Sequence, residues 1–200
     1  MTRTDDIPNG WAASPLGAIR ADRSTSVDPS KSPSEYFELY SIPAFPSGHP
    51  EIIKGEEIGS TKKILAPGTV IVSKINPHIN RVWVVGEHSH HRQIGSSEWI
   101  PFFPVGGVEP KYLAYYMRQD AFRNYLAANV SGVGGSLMRV RPATVDPYPI
   151  VIAPEDEQHR IVEVIESYFT RLDDAVATLE RVQRNLKRYR PSVLKAAVEG

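Results

Sequence analysis

Residues 155–193 read EDEQHRIVEVIESYFTRLDDAVATLERVQRNLKRYRPSV, and this stretch decides the architecture. From Glu155 to Tyr189 it holds neither glycine nor proline. Its apolar positions step by four and three without a miss: Ile161, Ile165, Tyr168, Leu172, Ala175, Leu179, Val182, Leu186, Tyr189 and Val193. That is the heptad signature of a helix with one apolar seam. Glu155, Asp156 and Glu157 crowd its start, and Arg181, Arg184, Lys187, Arg188 and Arg190 its end, the arrangement a helix dipole favours. At about 1.5 Å per residue, 161–193 makes roughly 48 Å of helix, longer than a compact domain of this size needs. Pro191 is placed to kink the last turn. Phe169 and Val176 widen the stripe, while charge lies at outer positions such as Glu166, Asp173, Glu180 and Arg184. A seam of this kind needs a cover. It either folds back on its own domain or, the stronger reading, packs against another long helix of the same or a second chain.

The rest of the 200-residue chain has a different character. Its length suits one or two domains, and a 41% apolar share can bury a real core. Lys plus Arg and Asp plus Glu are 23 each, which excludes binding by bulk charge but not a local basic face. Residues 1–53 carry four basic and seven acidic residues, and residues 54–141 eleven basic and six acidic. With no cysteine, disulfide scaffolds, cysteine-ligated metals and thiol nucleophiles are excluded. No apolar run follows a basic start at Met1–Gly10, and none approaches the roughly 18 residues of a bilayer span, so a cytosolic protein is expected.

Ser26–Ser34 and Ile42–Pro50 read as irregular loops. Pro67-Gly68 marks a turn, and Thr69–Lys74, Arg81–Val85 and Trp99–Phe103 read as strands, with Gly86–Gln93 a polar connection. Leu113, Tyr116, Met117, Phe122, Tyr125 and Leu126 suit one or two short amphipathic helices. Val130–Ser136 reads as a flexible loop, and Pro142–Pro154 as an extended run unfit for helix interior.

Catalytic signatures are missing. Asp146-Pro147-Tyr148-Pro149 lacks the consecutive prolines of the adenine-methyltransferase motif, and Asn76-Pro77-His78-Ile79 fails likewise. Val133-Gly134-Gly135-Ser136 is not followed by the Lys-Ser/Thr of a phosphate loop. Glu109-x-Lys111 is a bare fragment of a nuclease pattern. No serine stands in Gly-x-Ser-x-Gly. His88, His90 and His91 have only Glu87 beside them, which suits a solvated hairpin loop rather than a metal site. No cofactor is expected.

Residues suited to nucleic acid are present. Ser60, Thr61, Lys62 and Lys63 cluster hydroxyls and ammoniums that fit phosphate oxygens. Lys74 to Arg81 places donors and acceptors on a short loop between strands. Asn76, His78 and Asn80 there, with Arg139 and Arg141, are base-edge candidates, since Asn pairs with adenine and Arg with guanine. Lys74 and Arg81 join Lys62 and Lys63 as phosphate candidates. In a strand-like Arg139-Val140-Arg141 both arginines share a face. Each of these positions is also compatible with plain solvated surface, or, for Lys74 and Arg81, with capping of strand ends.

Several stretches together resemble the specificity subunit of type I restriction–modification enzymes. They are Ile53 to Lys63, Leu65-x-Pro67-Gly68 through Pro77, Ser96-Ser97-Glu98-Trp99-Ile100, Lys111-Tyr112-Leu113-x-Tyr115-Tyr116, and the junction Pro149 to Pro154 followed by Glu157-Gln158-x-Arg160-Ile161-Val162. Leu194 to Gly200 looks like the close of that family's spacer helix. The resemblance runs from Trp11 to Gly200. Ala153-Pro154-Glu155-Asp156 departs from the commoner Pro-Pro-Leu junction, and one recognition domain and one spacer helix stand where the family usually has two of each. The resemblance implies a non-catalytic subunit. Each recognition domain reads one part of a split double-stranded DNA target, and the spacer helices pack antiparallel as a ruler. Modification subunits methylate adenine, and restriction subunits cut using ATP. A half-length form would pair with its own copy through the 161–193 seam and read an inverted repeat.

The expected fold class is α+β: a mixed α/β recognition domain with twisted strands and short helices, over 1–154, then a long coiled-coil helix over 155–200. Its partner-helix residues are Ile161, Ile165, Tyr168, Leu172, Leu179, Val182, Leu186 and Tyr189. The competing reading is an assembly module that reads no DNA. A nuclease or methyltransferase in its own right would need catalysis from this chain alone.

Overall fold

The computed structural model describes residues 7–20, 25–87, 90–130 and 138–200. The chain divides into two compact units, Met1–His159 and Arg160–Gly200.

The first unit is α+β. Its centre is a three-stranded antiparallel sheet in the order β7-β6-β9, from β6 (Val70–Ser73), β7 (Val82–Val84) and β9 (Trp99–Phe102). Every residue of β6 and β9 is buried, which β-branched and aromatic side chains suit. Helices α1 (Pro110–Met117) and α2 (Asp120–Ala128) add to this core, where Leu113, Met117, Phe122 and Leu126 pack with Val70, Val72, Val82, Ile100 and Phe102, and Leu16, Ile19, Val140, Val145 and Ile150 join it. Pro110 stands at the first helical turn, and the Glu109 carboxylate accepts from Tyr112 N at 2.6 Å, so α1 is capped at its start.

The second sheet has five strands in the order β2-β5-β8-β3-β4: β2 (Ser26–Val27), β3 (Tyr36–Tyr40), β4 (Glu51–Lys54), β5 (Lys62–Ile64) and β8 (Arg92–Gly95). Among the described residues, β3 and β8 are the one parallel pair. A cluster of Tyr40, Trp83, Trp99 and Phe45 lies between the two sheets, and the Trp99 indole donates to Tyr40 O at 2.8 Å. A third, two-stranded antiparallel ladder joins β1 (Ala12–Pro15) to β10 (Pro149–Ile152).

The strands expected near 69–74, 81–85 and 99–103 are present. Three loop readings are corrected. Ser26–Ser34 contains β2 and a 3₁₀ turn at Pro29–Lys31, and Ile42–Pro50 contains a 3₁₀ turn at Phe45–Ser47. The connection expected over 86–93 ends inside β8, whose Gln93, Ile94 and Gly95 are buried. Pro142–Val145 forms one helical turn, α3. It opens with a proline at its first position, where the missing N–H costs nothing. The flexible loop expected at 130–136 lies, beyond Val130, outside the described residues.

Helix α4 runs from Glu155 to Glu199, 45 residues, and continues through Pro191. Its apolar stripe is uncovered over most of the second unit: Tyr168, Leu172, Leu179, Leu186 and Tyr189 are each more than half exposed, Leu179 by 68%. Val182 and Val193 are nearly half exposed, as is Val176 beside the seam, and Phe169 there is just over half exposed. Ile161 and Ile165 are half-buried. Among the described residues no helix is long and apolar enough to cross a membrane, and no group of His, Cys, Asp or Glu can hold a metal ion. His88 of the histidine cluster lies outside the described residues, and the His91 ring lies 5.8 Å from the Tyr36 ring, tilted by 45°.

Candidate nucleic-acid interface

The β6–β7 connection forms one wall of a basic corner. Lys74 to Asn76 runs antiparallel to Met138 to Val140: Asn76 N donates to Met138 O at 3.0 Å, Val140 N to Lys74 O at 2.9 Å, and Ile75 bridges Arg139. Sequence alone places these stretches sixty residues apart; the ladder makes them neighbours. Val140 is buried while Arg139 and Arg141 are exposed, as strand alternation requires.

Asn76 and Asn80 are both left-handed, at φ 47° and 49°, and bracket a 3₁₀ turn at Pro77–Ile79. Asparagine tolerates that region better than most residues. Pro77 is buried, and Asn80 Nδ2 donates to Met117 O at the end of α1 at 3.0 Å. Asn80 Oδ1 is buried without a partner. The Asn80 side chain therefore faces inward and anchors the loop, whereas His78 and Ile79 are exposed at its tip.

The β8–β9 turn supplies the corner's second wall. Lys74 N donates to Glu98 O at 2.8 Å and its ammonium to Ser97 O at 2.6 Å. Arg139 pairs with the Glu98 carboxylate at 2.9 Å. Burial pushes the Lys74 ammonium below its usual range, Glu98 opposes this, and Arg139 adds to it. Arg81 reaches back to Ile75 O at 3.4 Å. Lys74 and Arg81 thus brace the corner they also charge, which is the strand-capping role left open by the sequence.

Ser60, Thr61, Lys62 and Lys63 stand on another sheet, at and before β5. The Lys62 ammonium donates to the carbonyl and hydroxyl oxygens of Ser60, and burial pushes it below the usual lysine range. The link to the corner is β8: Lys63 lies across from Gly95, two residues before the Ser97 that receives Lys74. Periodicity and spacing carried no sign of this join, because it depends on which strands become neighbours.

The junction motif has a structural role. Gln158 is fully buried. Its Nε2 donates to Gly107 O and Ala153 O, and its Oε1 accepts from Glu109 N, all at 2.8 Å. Two of the three tyrosines of the 111–116 motif act alike: Tyr112 and Tyr116 donate to Val151 O and Pro149 O of β10, at 2.7 and 3.3 Å.

A mixed-sheet unit with short helices, followed by a long helix, is an architecture shared with solved type I restriction–modification specificity subunits. No family model matches the chain. It is 24% identical to the StySPI specificity subunit of Salmonella potsdam over 207 aligned positions, which cover 97% of this chain and 44% of that one. With the EcoKI specificity subunit of Escherichia coli K12 it shares 22% identity over the same fractions. Among solved structures, the HsdS subunit of Thermoanaerobacter tengcongensis superposes with a TM-score of 0.73 at 26% identity, over 84% of this chain and 44% of that one. A chain from a structure of the assembly of a type I restriction–modification system gives 0.74 at 26%, over 90% and 47%. The chain is a homologue of type I specificity subunits and spans a little under half the length of the relatives it matches.

Proposed function

We propose that this chain is a DNA-reading specificity subunit: its first unit recognises one part of a bipartite target, and α4 docks the modification and restriction subunits and a second copy of the chain. Two copies joined through the 161–193 seam carry two reading units related by a two-fold axis, so the target is an inverted repeat. The subunit does no chemistry itself and works in the cytoplasm. The observation that carries this reading is the relationship to specificity subunits over 97% of the chain. The basic corner and the uncovered seam support it independently. Within the corner, Asn76, His78, Arg139 and Arg141 are the base-edge residues; Lys62, Lys63, Lys74 and Arg81, with Ser60 and Thr61, serve the backbone. Asn80 is reassigned to holding the loop.

The test is DNA binding by the chain assembled with modification subunits, measured at several salt concentrations. Lys62→Ala with Lys63→Ala weakens binding to all sequences and flattens the salt slope by about one unit per lysine lost. Unchanged binding removes the phosphate role. An assembled complex that binds no DNA at low salt, yet still holds its subunits, favours the assembly-module reading instead.

A further inference from the structure

Ile79 is an apolar side chain held out at the tip of the 74–81 connection. It is 49% exposed, and its neighbour Met138 is 42% exposed. Both meet at Asn76, whose N–H donates to Met138 O and whose carbonyl accepts from Ile79 N, each at 3.0 Å. Single exposed apolar residues are ordinary on protein surfaces. Here, however, the backbone is built to keep the tip outward. Two left-handed asparagines flank it, Pro77 is buried beneath it, and Asn80 pins its far end to α1. Lys74 and Arg81 stand at the two ends of the same connection, their side chains donating to Ser97 O and Ile75 O, and Arg139, paired with the Glu98 carboxylate, lies across the ladder from Ile75. An exposed apolar tip on a connection that carries a cation at each end suits a duplex groove: the cations meet phosphates, and the tip meets the apolar feature of base edges, the thymine C5-methyl.

We propose that Ile79 is a specificity-determining residue that packs against a thymine methyl group in the major groove. This rests on the DNA-reading function proposed above. The turn's backbone is anchored by buried Pro77 and by the Asn80 bond to Met117 O, so little of the loop has to be ordered on binding.

The experiment starts from selection of bound oligonucleotides by the chain assembled with modification subunits. Each thymine of the selected site is then replaced by deoxyuridine, which removes only the methyl. One replacement is expected to weaken wild-type binding on the order of fourfold, the equivalent of one buried methyl. Ile79→Ala abolishes that sensitivity, Ile79→Val retains most of it, and neither changes the salt slope. A selected site without thymine, or deoxyuridine effects identical in wild type and Ile79→Ala, overturns the assignment while leaving DNA reading intact. Selection that recovers no sequence preference overturns the DNA-reading function itself, and this contact with it.

Discussion

Gln158 shows how one side chain gives a short motif its meaning. All three of its hydrogen-bonding contacts go to backbone groups, from Gly107, Glu109 and Ala153. It ties the first turn of α4 to the residue that caps α1. Gln158→Ala leaves three backbone groups without this partner, and about 1–3 kcal/mol of stability should be lost; a denaturant titration of the wild type and variant measures it. Gly55 is a second such residue. A Cβ there would lie 2.3 Å from Ser32 O and 2.4 Å from Pro29 O, closer than any real contact. Those carbonyls belong to backbone that cannot rotate away. Gly55→Ala should therefore lower the midpoint of thermal unfolding, and calorimetry that finds the midpoint unchanged would show that the 29–32 turn yields.

Among elements, β8 is the strand that organises the first unit. It stands between β5 and β3 and leads through Ser96, Ser97 and Glu98 into β9, so both basic groups connect through it. Its neighbours explain why sequence reading missed it. Arg92-Gln93-Ile94-Gly95 has one strongly apolar residue and a glycine, which is weak strand propensity. Tertiary pairing overrides that preference. Gly95 is also the residue against which Leu65 packs; a Cβ there would meet Leu65 Cδ1 at 2.9 Å. The connection 74–81 is another element set by neighbours: its two left-handed residues are legible as asparagines, but its inward Asn80 is legible only once α1 is in place.

At the scale of the whole molecule, the proposed assembly turns on the exposed apolar seam of α4. The apolar positions mirror about Ala177. Two antiparallel copies centred there would set Leu172 of one level with Val182 of the other, a against d throughout. The acidic first half of each helix then faces the basic second half of its partner. Because the chain has no cysteine, single thiol probes report this register cleanly. Mixed Leu172→Cys and Val182→Cys chains should form a disulfide-linked pair on oxidation, while Leu172→Cys alone should not, since its copies would lie roughly 15 Å apart along the axis. A linked pair from Leu172→Cys alone would indicate a parallel arrangement, and no linkage in any mixture would remove the homodimer.

What the sequence determined by itself was local and periodic. Ten apolar positions in a 4-3 rhythm specify a long helix, because that rhythm has no other regular solution. Runs such as Val70-Ile71-Val72 specify buried strands, because β-branched side chains pack well on a pleat. What only the tertiary structure decided was adjacency: Lys74 beside Arg139, Lys63 across from Gly95, Asn80 turned inward to Met117. Those contacts join residues dozens of positions apart. Their free energy comes from which surfaces the core brings together, and no window of neighbouring residues contains it.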